Sequence, residues 1–169
     1  MVGLQALYET STPAQRAAGA SWYWTARDIA AELGSGDIEM GAGLLAVCSP
    51  RQSWASSITA AYQIRETGFS GRLFRIDQSK ARRIVAGEAP WQVLRGPKVR
   101  AFYGAIVDPL GLGPAVIDRW MARVFGRNDT FSPKDYRHMA NILEMAAVEA
   151  GVPVHYFQAS IWGMVRGRY

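Results

Sequence analysis

The chain is 169 residues long, 49% hydrophobic and 20% charged, a size and balance that suit one globular domain (1–169) able to fold without metal or disulfide staples. Its longest apolar run, Met40 to Cys48, falls well short of the roughly eighteen residues a membrane helix needs. A single cysteine, Cys48, excludes an internal disulfide and any cysteine-based zinc or iron–sulfur centre. Nineteen Lys and Arg against fourteen Asp and Glu leave a net charge of +5, which points to a polyanionic partner, nucleic acid first among them.

Met1 to Glu9 lacks the basic-then-apolar layout of a signal peptide, so the expected compartment is a reducing cytoplasm. Thr12-Pro13-Ala14-Gln15 has the form of a capping box with proline at the first helical position. Trp22, Tyr23, Ala26, Ile29, Ala30 and Leu33 then recur at three- and four-residue steps until Gly34, which predicts a helix. Asp37 caps a second helix through Cys48 that is apolar all round and therefore buried. Ser53 caps a third that ends at Gly68, and Asp77 starts a fourth that stops at Gly87. Arg72 to Ile76 alternates, but five residues without a partner cannot make a sheet. Ser132-Pro133-Lys134-Asp135 opens a further helix ended by Gly151, and a last one follows Pro153 to about Val165. The expected fold class is all-α.

Between these lies the segment that carries chemistry, residues 91–124. Leu94-Arg95-Gly96-Pro97-Lys98-Val99-Arg100 reads as the end of a short helix, a tight Gly-Pro turn and a second helix. Asp108-Pro109-Leu110-Gly111-Leu112-Gly113-Pro114 is a Gly/Pro-rich loop, and Asp118 stands at a new helix start before Arg119-Trp120-Met121-Ala122-Arg123-Val124. A glycine in such a turn lets backbone N–H groups face outward beside a helix N-terminus, which suits a phosphate. From position alone Asp118 reads first as a plain helix cap. Arg95, Lys98 and Arg100 read either as phosphate contacts or as a solvated helix face, and Trp22 and Tyr23 either as a stacking surface or as core.

This order of residues resembles the helix-hairpin-helix, Gly/Pro-rich loop and Asp signature of the endonuclease III-like DNA glycosylase superfamily, in a small divergent form of the phage or actinobacterial type. The family's hairpin runs Leu-Pro-Gly-Val-Gly-x-Lys-x-Ala, and Leu94 and Gly96 match its first half. Val116 to Val124 is similar to its second part, Val-Asp-x-His-Val-x-Arg-Val, with Asp118 on the catalytic carboxylate. Upstream, Gly43 to Trp54 resembles the buried helix and Leu-Ser-x-Gln loop that line the flipped-base pocket. The likeness spans roughly Asp37 to Val124. Lys98 departs from the second hairpin glycine, Arg100 from the nucleophilic lysine of bifunctional members, and Trp120 from the usual histidine.

The resemblance implies a compact helical domain that hydrolyses the N-glycosidic bond of a flipped base in DNA. Asp118 would be the catalytic residue. Gln52, Trp54, Trp22 and Tyr23 would border the base, and Arg51, Arg95, Gly96, Lys98 and Arg100 would hold the DNA backbone. A carboxylate near the sugar stabilises the positive charge that develops as the bond breaks. A guanidinium cannot form a Schiff base, so Arg100 implies an enzyme without lyase activity. No metal or other cofactor is required, although hairpin carbonyls in this family can hold a monovalent cation. Two alternatives stand beside this one. One is a hypermodification transferase that joins an amino acid or amine to a modified thymine; the other is a DNA-binding module without catalysis.

Overall fold

The computed structural model describes residues 3–111, 113–127 and 130–166. It is all-helical, with no strand among the described residues, and none of its helices is long and apolar enough to cross a membrane. The helices are α1 (Leu4–Glu9), α2 (Pro13–Leu33), α3 (Ile38–Cys48), α4 (Trp54–Thr67), α5 (Arg75–Val85), α6 (Pro90–Val93), α7 (Pro97–Val107), α8 (Arg119–Val124), α9 (Pro133–Glu149) and α10 (Val154–Arg166).

Local chemistry sets most of their ends. Thr12 and Gln15 exchange side-chain and backbone bonds ahead of α2, and Ser132 and Asp135 form a full capping box on α9. Asp37 and Ser53 each accept an amide bond at the start of α3 and α4, and α4 ends on Gly68 in the left-handed conformation. Two elements differ from expectation. α1 precedes the first predicted helix, and α5 begins at Arg75 behind Phe74, which makes no side-chain cap. Asp77 therefore lies inside the first turn of α5, where it pairs with Lys80 at 3.1 Å.

The chain divides into two compact units. The first takes the chain up to Thr25 and again from Asp108 onward; the second is Ala26–Val107. The second is built around α3, which packs against α4, α5, α6 and α7. Every residue from Gly41 to Cys48 is buried, so Leu44, Leu45 and Val47 each contribute on the order of 1.5–3 kcal/mol by leaving water. Gly41 lets α3 meet the backbone of Ala30, where an added Cβ would run into the Ala30 carbonyl. The Arg27 guanidinium donates to the Val107 carbonyl, so the unit's first and last turns are tied together. Burial pushes the Cys48 thiol up to about 12, with the Asp77 charge adding to it, and it behaves as a small apolar side chain.

In the first unit α10 packs against α1, α8 and α9. Its core includes Ile117, Met121, Tyr136, Met139, Leu143, Phe157 and Ile161.

Candidate functional site

The loop before α8 cannot be helical, because Pro109, Gly111, Gly113 and Pro114 interrupt it. Ala115, Val116 and Ile117 are nevertheless buried, so their amides need partners from elsewhere. Side chains of α9 and α10 supply all three. Ala115 N–H donates to Glu144 Oε1 at 3.2 Å, Val116 N–H to Gln158 Oε1 at 2.9 Å, and Ile117 N–H to the Tyr136 hydroxyl at 3.2 Å. That hydroxyl in turn donates to the Ala115 carbonyl at 2.9 Å. Each orphaned amide would cost about 1–3 kcal/mol, so the loop is held in one shape.

This scaffold delivers Asp118. Its Oδ1 accepts from Trp120 N–H at 3.0 Å and Met121 N–H at 2.9 Å, capping α8, and its Oδ2 accepts from the Trp162 indole N–H at 2.8 Å. A carboxylate offers about four acceptor positions. Among the described residues three are used, and one on Oδ2 is left in a half-buried group.

Arginine and tryptophan gather around it. The Arg119 and Arg123 guanidinium groups lie over the Trp120 ring at 5.1 and 4.7 Å, and Arg166 lies over Trp162 at 4.9 Å. Trp22 reaches the Trp162 ring with centroids 6.4 Å apart. Tyr23, only 3% exposed, meets Trp22 edge-on at 4.7 Å and His155 at 5.3 Å. Burial raises the Tyr23 phenol, the Asp118 and Tyr136 charges raise it further, and a bond with Gln158 opposes them, so it stays neutral. His155 is fully buried, neither ring nitrogen has a hydrogen-bond partner among the described residues, and burial lowers it to about 4 against an opposing pull from Asp108.

The remaining site residues inferred from sequence lie in the second unit. The Gln52 amide is committed to α4 and the loop after it: Nε2 donates to the Arg72 carbonyl at 2.5 Å and Oε1 accepts from Ser56 Oγ at 2.6 Å. Trp54 packs edge-on to Phe102 at 6.1 Å. Gly96 makes the turn between α6 and α7 with φ +83°, exposed and with open space where a Cβ would be. Lys98 is half-buried on the first turn of α7. Arg100 turns back, its Nε donating to the Leu94 carbonyl at 3.0 Å beside the end of α6. Arg51 and Arg95 are brought together at one cavity of about 350 Å³, which Gln52 and Trp54 do not line. Arg95 Nη1 donates to the Gln92 and Leu94 carbonyls, and the Arg51 guanidinium lies over Phe74 at 5.6 Å.

Sequence reasoning placed Asp118 at the start of α8 and missed what holds it. Glu144, Gln158 and Tyr136 carried no local signal, and Trp162 read as core. Phe74 and Lys80 at the cavity were equally silent, and Asp77 was read only as a helix start.

The chain is thus an all-α protein with a buried, side-chain-pinned loop that presents one capped carboxylate beside stacked arginines. It belongs to the family of unknown function DUF7178, whose model matches residues 3–169. Comparison with the curated proteins gave no match, and neither did comparison with the solved structures.

Proposed function

We propose that the protein is a DNA-acting, glycosylase-like hydrolase that removes a flipped base without a covalent lysine intermediate, with Asp118 as the catalytic residue. The observation that carries this reading is the geometry of Asp118: three N–H donors fix its carboxylate, and among the described residues one Oδ2 acceptor position is left for a reacting group. In the proposed step, water oxygen bonds to the sugar C1′ as the bond from C1′ to the base nitrogen breaks. The water proton passes to solvent or to the departing base. Asp118 orients that water and stabilises the positive charge on the sugar. Arg119, Arg123 and Arg166, braced on Trp120 and Trp162, supply cations for the neighbouring phosphates. The resembled helix-hairpin-helix, with Gly96 in the turn between α6 and α7, would hold the backbone.

The test is a screen of duplex and single-stranded oligonucleotides containing uracil, alkylated, oxidised and hypermodified bases. Base release by the wild-type protein, absent in Asp118→Asn, with no adduct trapped by borohydride, is the expected result. Unchanged base release in Asp118→Asn would refute the assignment. Mass gain on a modified thymine in the presence of an amine would move the site to transfer chemistry, and binding with no turnover to a DNA-binding module.

A further inference from the structure

The second unit holds a cavity whose lining residues all belong to that unit. At about 350 Å³ it falls at the lower end of small-molecule sites. Val47, Leu94 and Val99 are among its lining residues and give it an apolar surface, here called its floor. Its charge is not balanced. Lys80 is paired with Asp77, whereas Arg51 and Arg95 have no ion pair among the described residues. Two guanidinium groups beside an apolar floor match a ligand that is anionic at one end and planar at the other.

The backbone adds an independent argument. Ser49-Pro50-Arg51-Gln52 forms a turn closed by Gln52 N–H on the Ser49 carbonyl at 3.3 Å, with Arg51 at φ +60°. This left-handed position favours glycine, and only one other described non-glycine residue, Ser35, adopts a positive φ. An arginine held there, with its guanidinium over the 58%-exposed ring of Phe74, keeps a cation at the cavity rim against local preference.

We propose that this cavity binds one nucleotide unit through its phosphate, with Arg51 and Arg95 on the phosphate oxygens and the base on the apolar floor. It rests on the nucleic-acid part of the function proposed above and not on the chemistry of Asp118. The phosphate can belong to a free mononucleotide or to a strand, and the test separates the two.

Binding of dTMP, thymidine and a single-stranded oligonucleotide would be measured by calorimetry for the wild type, Arg51→Gly, Arg95→Ala and a control, Arg137→Ala on α9. Arg51→Gly should leave Tm unchanged or higher, because glycine adopts the turn without strain, so a loss of binding is not a loss of fold. A free mononucleotide as ligand gives dTMP binding at least tenfold tighter than thymidine, reduced at least tenfold in both cavity variants. A strand as source gives oligonucleotide binding alone, again reduced in both and more than in Arg137→Ala. Binding of none of the three ligands, thymidine binding as tightly as dTMP where both bind, or cavity variants no weaker than Arg137→Ala would each overturn the proposal. A protein that binds as expected yet releases no base keeps this site and loses the role of Asp118.

Discussion

Asparagine at position 118 would keep one oxygen for the α8 cap but would turn an amide NH₂ toward the Trp162 indole N–H, setting donor against donor. A hydrogen bond to a charged group contributes about 1.5–3 kcal/mol, and partial exposure here brings the expected cost of Asp118→Asn to about 1–2 kcal/mol. Asp118→Ala also loses the cap, worth about 1 kcal/mol, and should cost about 2–3 kcal/mol. At this chain length each kcal/mol lowers Tm by roughly 2–4 °C. Trp162→Phe removes the other partner of the same bond. Once Asp118 is Asn, that change should be cheaper than in the wild type, giving a coupling of about 1–2 kcal/mol in a double-mutant cycle. Urea denaturation of the four proteins measures it. Additive effects, or an asparagine variant as stable as the wild type, would show that the indole bond does not hold the carboxylate.

Two further outcomes test the packing. His155 is neutral when folded, so its contribution is fully present above its ordinary value of 6.5 and is lost as pH falls toward about 4; between pH 7.5 and pH 5 the loss should be about 2 kcal/mol. Urea midpoints across that window should fall, and the fall should be much smaller in His155→Leu; equal slopes would refute the assignment. Gly41→Ala should cost about 1–3 kcal/mol or more by driving a methyl into the Ala30 carbonyl, whereas Gly104→Ala, in open space on α7, should gain about 0.5–1 kcal/mol. Thermal melts in which both behave alike would contradict the close approach of α3.

Helices with chemical ends were legible in the sequence. Thr12, Asp37, Ser53 and Ser132 are polar caps, and Gly68 is a left-handed stop, each acting within four residues of its own position. α1, six residues long behind Gly3, and α5, begun by Phe74, have no such marker, and Asp77 drew the start of α5 two residues too late. The same limit governs the site. Asp118 announces itself as a cap through the next three residues. Its indole donor lies 44 positions away, and the acceptors that fix its loop lie 19 to 42 positions away, beyond any local pattern. Gln52 shows the converse: its chemistry was readable, but its amide is consumed by Ser56 and Arg72.

The bond from Arg27 to the Val107 carbonyl bears on the order in which the chain can fold. The side chains that hold Asp118 and its loop come late in synthesis, since Trp162 and Gln158 emerge near the end, and α10 must meet α1, which lies before the whole second unit in sequence. Closing a flexible loop of about 80 residues carries an entropy cost of roughly 4 kcal/mol. Ala26–Val107 is contiguous and can order as soon as it is made, as domains generally do during synthesis. Once Arg27 has joined its two ends, the chain enters and leaves the second unit at neighbouring points. The early and late segments of the first unit then start their search already tethered, and the carboxylate is assembled last.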